Sequence, residues 1–297
     1  MLLLETLCSK LKLHYETSEP LVWVNDEPVK EDLDYILEQV KEDSPFDPLD
    51  LRQQTLDDLK SNKARLITKR CAYAKVLAII YPTSQPDQRV SSDQRVSSDQ
   101  RVSSDQRVPW DLFAKIFQAF GKPRSSSWRL VWFANPTKRL FPPLGTPITA
   151  ANLNGGYAKR CLPDTVVIYR EEEVARVLVH ELLHAACTDN MEESVEVIEA
   201  KTETWAELFL IAILAKASPR KAASFWRIQA QWIADQEYIL TRNYGIRGPS
   251  DYAWRYTLAR REVLKSLGIE LPIPKPSKQS ESKFILSLRF TSPALCL

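Results

Sequence analysis

The sequence predicts an α+β domain that is predominantly helical, with a small sheet packed against one central helix. Three observations carry this expectation. Glycine is scarce, at seven of 297 residues, while tryptophan numbers eight, a balance that favours helices over a turn-rich β-fold. Long stretches free of Gly and Pro repeat their apolar residues at the helical period. Two runs, "SWRLVWFANP" (127–136) and "TVVIY" (165–169), have the aromatic and β-branched density of strands.

Taken in order, "EDLDYILEQVKE" (31–42) and the whole of 49–81 read as helices by period, separated by the break "DSPFDP". Together they make residues 1–82 an acidic helical region. A literal hexapeptide repeat, "DQRVSSDQRVSSDQRVSSDQRV", fills 87–108. Each unit pairs one Asp with one Arg around a lone Val and offers no face able to bury itself, so 83–109 reads as a flexible polar insertion. "PWDLFAKIFQAFGK" (109–122) is an amphipathic helix opened by Pro109 and closed by Gly121. Helices are expected over Glu171–Cys187, Met191–Ala217, Pro219–Asn243 and Asp251–Leu267. Asn190 and Glu193 are placed to form a capping box for the second of these. The main domain is bounded at 110–270, and 271–297 is a Pro- and Ser-rich tail.

Residues 1–60 hold 6 Lys+Arg and 15 Asp+Glu, a net of −9, which leaves +11 on the remainder of a chain whose total is +2. An acidic N-terminal part docking on a basic C-terminal part is one consequence. The five cysteines are odd in number, widely spaced and form no CxxC pair, so no disulfide framework is expected and a reducing, intracellular, cytoplasmic setting is. "MLLLETLCSK" is too short in its apolar part for a secretory segment. "WAELFLIAILAKA" (205–217) carries Glu207 and falls short of a membrane span.

The chemistry concentrates in "VARVLVHELLHAACTDN" (174–190). On a helix His180 and His184 lie one turn apart and face the same way, so both imidazoles can reach one tetrahedral Zn2+. Glu181 projects beside the metal, where it can take a proton from a water in the fourth ligand position. The uncharged neighbours Val177, Leu178, Leu182, Leu183, Ala185 and Ala186 let the helix be buried. A chance HExxH is expected on the order of a few times per thousand such sequences. The third ligand is open to elimination. A metzincin would place a glycine three residues beyond the second histidine of the motif and a histidine three further on, but Cys187 and Asn190 stand there, and the remaining histidine, His14, is far upstream. A carboxylate is therefore favoured. Glu199, Glu203 and Glu207 fall one turn apart on the following helix, and Cys187 is a further candidate on the histidine face.

"HELLH" followed by "ETWAE", with "TVVIY" in front, resembles the gluzincin side of the zincin metallopeptidases over some 120 residues. The resemblance implies a zincin-like core and a zinc metallopeptidase acting on protein or peptide substrates. It implies Glu203 as third ligand, Glu207 as a carboxylate holding His180, and "TVVIY" as a strand whose edge pairs with extended substrate. It also implies a downstream group for the oxyanion. Tyr244, in a loop before Gly245, is preferred among Tyr252, Tyr256, Arg247 and Arg255. Two other classes of function compete. One is a catalytically idle protein that zinc merely stabilises. The other is a nucleic-acid-associated protein using "SFWRIQAQWIADQ" and "YAWRYTLARR", since 216–265 carry 10 Lys+Arg against 4 Asp+Glu.

Overall fold

The computed structural model describes residues 2–41, 44–82, 107–124, 126–275 and 287–295. Residues 83–106, with nearly all of the hexapeptide repeat, and 276–286 and 296–297 of the Pro- and Ser-rich tail lie outside these residues. About 49% of the described residues are helical around a small mixed sheet, so the α+β, predominantly helical expectation holds.

In chain order the elements are α1 (Leu2–Thr17), β1 (Val24–Asn25), α2 (Lys30–Lys41), α3 (Leu51–Lys60), β2 (Arg65–Arg70), β3 (Ala74–Ile80), α4 (Trp110–Phe120) and β4 (Trp128–Phe133). There follow α5 (Ala150–Leu153), β5 (Gly156–Tyr157), β6 (Val166–Ile168), α6 (Val174–Ala185), α7 (Val195–Leu214), α8 (Pro219–Tyr244) and α9 (Ala259–Ser266). The six strands run β1-β2-β3-β4-β6-β5 across one sheet. The β3–β4 and β4–β6 pairs are parallel, and the other three are antiparallel.

The helix expected over 49–81 is overturned. Only Leu51–Lys60 is helical, and 65–80 form the β2–β3 hairpin. The reason is local. The turn closes through Cys71 N–H donating to the Ala74 carbonyl at 2.8 Å, with no Gly, Pro or Asn to mark it. Packing confirms strand alternation. Val76, Ala78 and Ile80 join one core with α4, α6 and α7, whereas Leu77 and Ile79 join another with Ile36, Leu51 and Leu56 from α2 and α3. Strands from both sides of the repeat thus share one sheet covered by helices on both faces.

The acidic N-terminal segment does meet the C-terminal helices, but through apolar contact rather than charge. Leu4, Leu7, Cys8 and Leu11 form the buried stripe of α1 and join the core that includes Leu208 and Ile211 of α7 and Ala222 and Trp226 of α8. His14 takes a packing role, its Nε2 lying 2.6 Å from the Gln118 carbonyl. The end of the chain also docks. Leu288 and Phe290 are buried, Gln229 bonds the Phe290 carbonyl, and Glu173 accepts the amides of Phe290 and Thr291.

Candidate metal centre

α6 is buried along nearly its whole length, from Val174 to Ala185. The sheet takes one side of it and α7 the other. α6 and α7 run antiparallel, since Arg176 meets Glu203 while His180 meets Glu199. That ladder brings one carboxylate from α7 to the two imidazoles. The His180 and His184 Nε2 atoms are 3.1 Å apart. A Glu199 oxygen lies 3.4 Å from the first, and its other oxygen 3.8 Å from the second. Donors at zinc bond lengths of 2.0–2.1 Å in a tetrahedron sit about 3.3 Å from one another, so the three groups fit one cation with little movement. Among the described residues these three form the group whose ligand atoms all fall within 4.8 Å.

Glu203, expected as the third ligand, stands elsewhere. It is one turn deeper, ion-paired with Arg176, with Oε1 3.3 Å from the Nδ1 of His180. It therefore occupies the position behind the imidazole that Glu207 was expected to take. Glu207 in turn lies 3.5 Å from Arg176 and 3.6 Å from Arg260. The glutamate that faces the two Nε2 atoms is thus one turn earlier than expected. Cys187 is no ligand, because it forms a disulfide with Cys161, 26 residues away in sequence. That single bond is no framework, but it weakens the premise on which a reducing compartment was expected.

A carboxylate stands behind each imidazole: Glu203 within ion-pair reach of His180, and Asp189 hydrogen-bonded to His184. Asp189 brings its two oxygens to 3.0 and 2.9 Å from the Nδ1 of His184, and Arg160 fixes Asp189 at 3.0 Å. With a proton kept on Nδ1 and a cation displacing the one on Nε2, both Nε2 atoms could face a metal. Burial disfavours a charge on His180, but Glu203, Glu199 and Glu181 outweigh it and hold the imidazolium up at about 9. Burial opposes the charge of Glu203 too, yet Arg176 and His180 keep it below the usual carboxylate range. Glu181 is pushed up to about 7, first by burial and then by Glu199 and Glu203, against the pull of the two histidines.

These groups line a cleft of about 340 Å³. Its other wall includes Gly155, Gly156 and Tyr157. "TVVIY" does not form the edge of the sheet: β6 lies between β4 and β5, and β5 is the edge strand. Gly156 is required by close approach. A Cβ there would come 2.7 Å from Val177, 2.8 Å from the Val167 carbonyl and 3.3 Å from Glu181. Tyr244 is not in the cleft. It donates to the Pro142 carbonyl at 3.0 Å and stacks on Phe141. Tyr252, Arg255 and Tyr256 line it instead. Tyr252 donates to Asn154 at 2.9 Å, and Arg255 pairs with Glu196 at 3.1 Å. Burial, with Glu199 and Tyr252 adding to it, raises the Tyr256 phenol far above its ordinary value, so it stays a proton donor.

The expected capping box is absent. α7 starts after Ser194, while Asn190 accepts from the Glu192 amide. The residues that sequence reasoning missed are Asp189, Arg160, Arg176 and the Gly155–Gly156 pair. Asp189 had a signal, a lone carboxylate five residues beyond His184. Among the aromatics proposed for stacking on nucleic acid, Trp226 is buried and the Trp232 indole donates to the Arg289 carbonyl, so both serve packing. No described helix is long and apolar enough to cross a membrane. No family model matches the chain, and neither does any curated protein or solved structure.

Proposed function

We propose that the chain is a zinc-dependent metallopeptidase, with His180, His184 and Glu199 as metal ligands and Glu181 as general base. The observation that carries this is the convergence of those three donors, on one side of a cleft, beside a buried carboxyl that belongs to none of the ion pairs. When bound, zinc would supply a Lewis acid for a carbonyl oxygen and acidify a water at neutral pH. Three protein donors leave a fourth position open, which separates a catalytic site from a closed structural one.

The chain's own residues account for the remaining steps. Glu181 takes the proton of the attacking water and returns it to the leaving amine. Asp189 and Glu203 hold the imidazoles in one tautomer. Tyr256 donates to the oxyanion, replacing Tyr244 in that role. An extended peptide adds to the free edge of β5 through backbone hydrogen bonds, and Gly156 lets that strand lie close to Val177 and Glu181 of α6. We retain the intracellular setting as part of this reading; there the Cys161–Cys187 bond would meet thiol reductants.

The test is zinc content and hydrolysis of a denatured protein mixture by the full chain. Glu181→Gln retains zinc and loses turnover; hydrolysis that survives in this variant defeats the mechanism. His184→Ala loses the metal. Wild-type protein that holds zinc yet cleaves nothing would favour the catalytically idle alternative.

A further inference from the structure

Arg176 lies one turn before His180 on α6, with its side chain 2% exposed. It is the middle of a buried relay. Glu203 reaches from the back of His180 to Arg176, Glu207 bridges Arg176 to Arg260, and all four of these charged side chains are 4% exposed or less. Phe290, from the segment that returns to the domain after α9, lies over the Arg176 guanidinium at 4.6 Å. The same ring faces Arg139 and Arg260, each at 5.6 Å.

A relay of this kind is a poor source of stability. Stripping water from two carboxylates and two guanidiniums costs as much as their attraction returns, and apolar replacements of similar volume are often neutral or better. What it does provide is direction. A guanidinium is a planar fork that fixes where a carboxylate points. Here that carboxylate is the group standing behind a metal ligand.

We infer that Arg176 is a positioning residue for the metal centre: clamped between Glu207 and the Phe290 ring, it orients Glu203 and, through Glu203, the His180 imidazole. This rests on the metal reading of the site and goes beyond it, because it makes the segment around Phe290 a working part of the centre. Arg176 touches no ligand atom of the metal, so its effect must pass through Glu203.

A double-mutant cycle in the full chain tests this, with zinc affinity read by chelator competition and folding by circular dichroism. Glu203→Gln and Arg176→Met each weaken zinc by roughly 10–100-fold, the range expected when the support of a metal ligand is removed. Because both changes break one path, R176M/E203Q binds zinc about as well as E203Q alone. Arg176→Lys, which keeps the charge but not the fork, recovers part of the loss. If Arg176→Met does not fold, the charge-balanced pair R176M/E203Q against E203Q carries the comparison. A folded Arg176→Met protein with wild-type zinc affinity overturns the inference, and so does a double variant weaker than E203Q by a further factor of about ten. Wild-type protein that takes up no zinc overturns the metal reading and this inference with it, whereas the other two outcomes overturn this inference alone.

Discussion

Replacing Gly156 by Ala probes the contact between β5 and α6, on which the shape of the cleft depends. Gly156 is not one of the residues at positive φ, so alanine meets no backbone obstacle there. Taken alone, the change would stabilise by about 0.4–1 kcal/mol by restricting the unfolded chain. Space opposes it. The new methyl would sit 2.7 Å from Val177 and 2.8 Å from the Val167 carbonyl, both well inside van der Waals contact. Val177 could shift, but the carbonyl is backbone in the neighbouring strand. Overpacking of this kind costs roughly 1–3 kcal/mol. The net is a loss of about 0–2.6 kcal/mol, about 1.3 at mid-range, or a mid-range fall in Tm of about 2–4 °C for a chain of this size. Relief comes most easily by β5 moving outward, because only two residue pairs hold it to β6. That movement disturbs the edge proposed for substrate and carries the methyl away from Glu181, which it would otherwise approach to 3.3 Å. Scanning calorimetry reads the first effect, and KM on a denatured protein substrate reads the second, which should rise. A variant with Tm at or above the wild-type value and unchanged KM would show that β5 does not lie against α6 as described.

The same geometry sets three further outcomes. Glu199→Ala should abolish stoichiometric zinc binding, while Glu203→Gln retains it at roughly 10–100-fold lower affinity; the reverse order would restore Glu203 as the ligand. Tyr256→Phe should lower kcat by about 10²–10³-fold, the usual cost of losing one oxyanion donor, whereas Tyr244→Phe leaves kcat unchanged because its hydroxyl is spent on Pro142. Opening the Cys161–Cys187 bond with a dithiol should weaken zinc and cost about 3 kcal/mol of stability by freeing a loop of this length. Both cysteine amides donate to the His184 carbonyl, and Arg160 beside Cys161 holds Asp189 on that imidazole; unchanged zinc affinity after reduction would sever this link.

How much was legible in the sequence depends on whether a feature is local. α6 could be read directly, since its buried run and its pair of histidines are both set by the helical period. β4 and β6 were legible for the same reason, because their β-branched and aromatic runs have no helical alternative of that length. The β2–β3 hairpin was not: "RLITKRCAYAKVLAII" has no turn residue and satisfies a helical window until its strands find the sheet. Propensity yielded there to partners distant in the chain.

Which glutamate faces the histidines was a question of register between two helices, and the sequence held more of the answer than the motif spacing. In an antiparallel pair the residue numbers in contact keep a constant sum. At 1.5 Å per residue, Glu199 lies about 6 Å along α7 from its start, level with the histidines, and Glu203 lies about 12 Å along it. On α6, Arg176 lies about 13 Å back from the C-terminal end. The three glutamates are interchangeable as long as only the histidines are considered, because a ladder with a period of four looks the same after each turn. Arg176 adds a second point of reference on the same face. It is the cation inside an apolar helix, it shares the face of His180, and it cannot be buried without a carboxylate opposite. Giving it Glu203 forces Glu199 onto the histidines, whereas giving the histidines Glu203 would pair Arg176 with Glu207 and leave Glu199 without a partner in the cleft. Both assignments neutralise Arg176, so charge alone does not choose between them. The choice is made by the connection: α7 begins only after Ser194, and the Cys161–Cys187 bond with its left-handed Cys187 turns the chain back at the end of α6. A short, pinned turn sets the first turn of α7 beside the last turns of α6, and the first glutamate on that face, not the second, then meets the imidazoles.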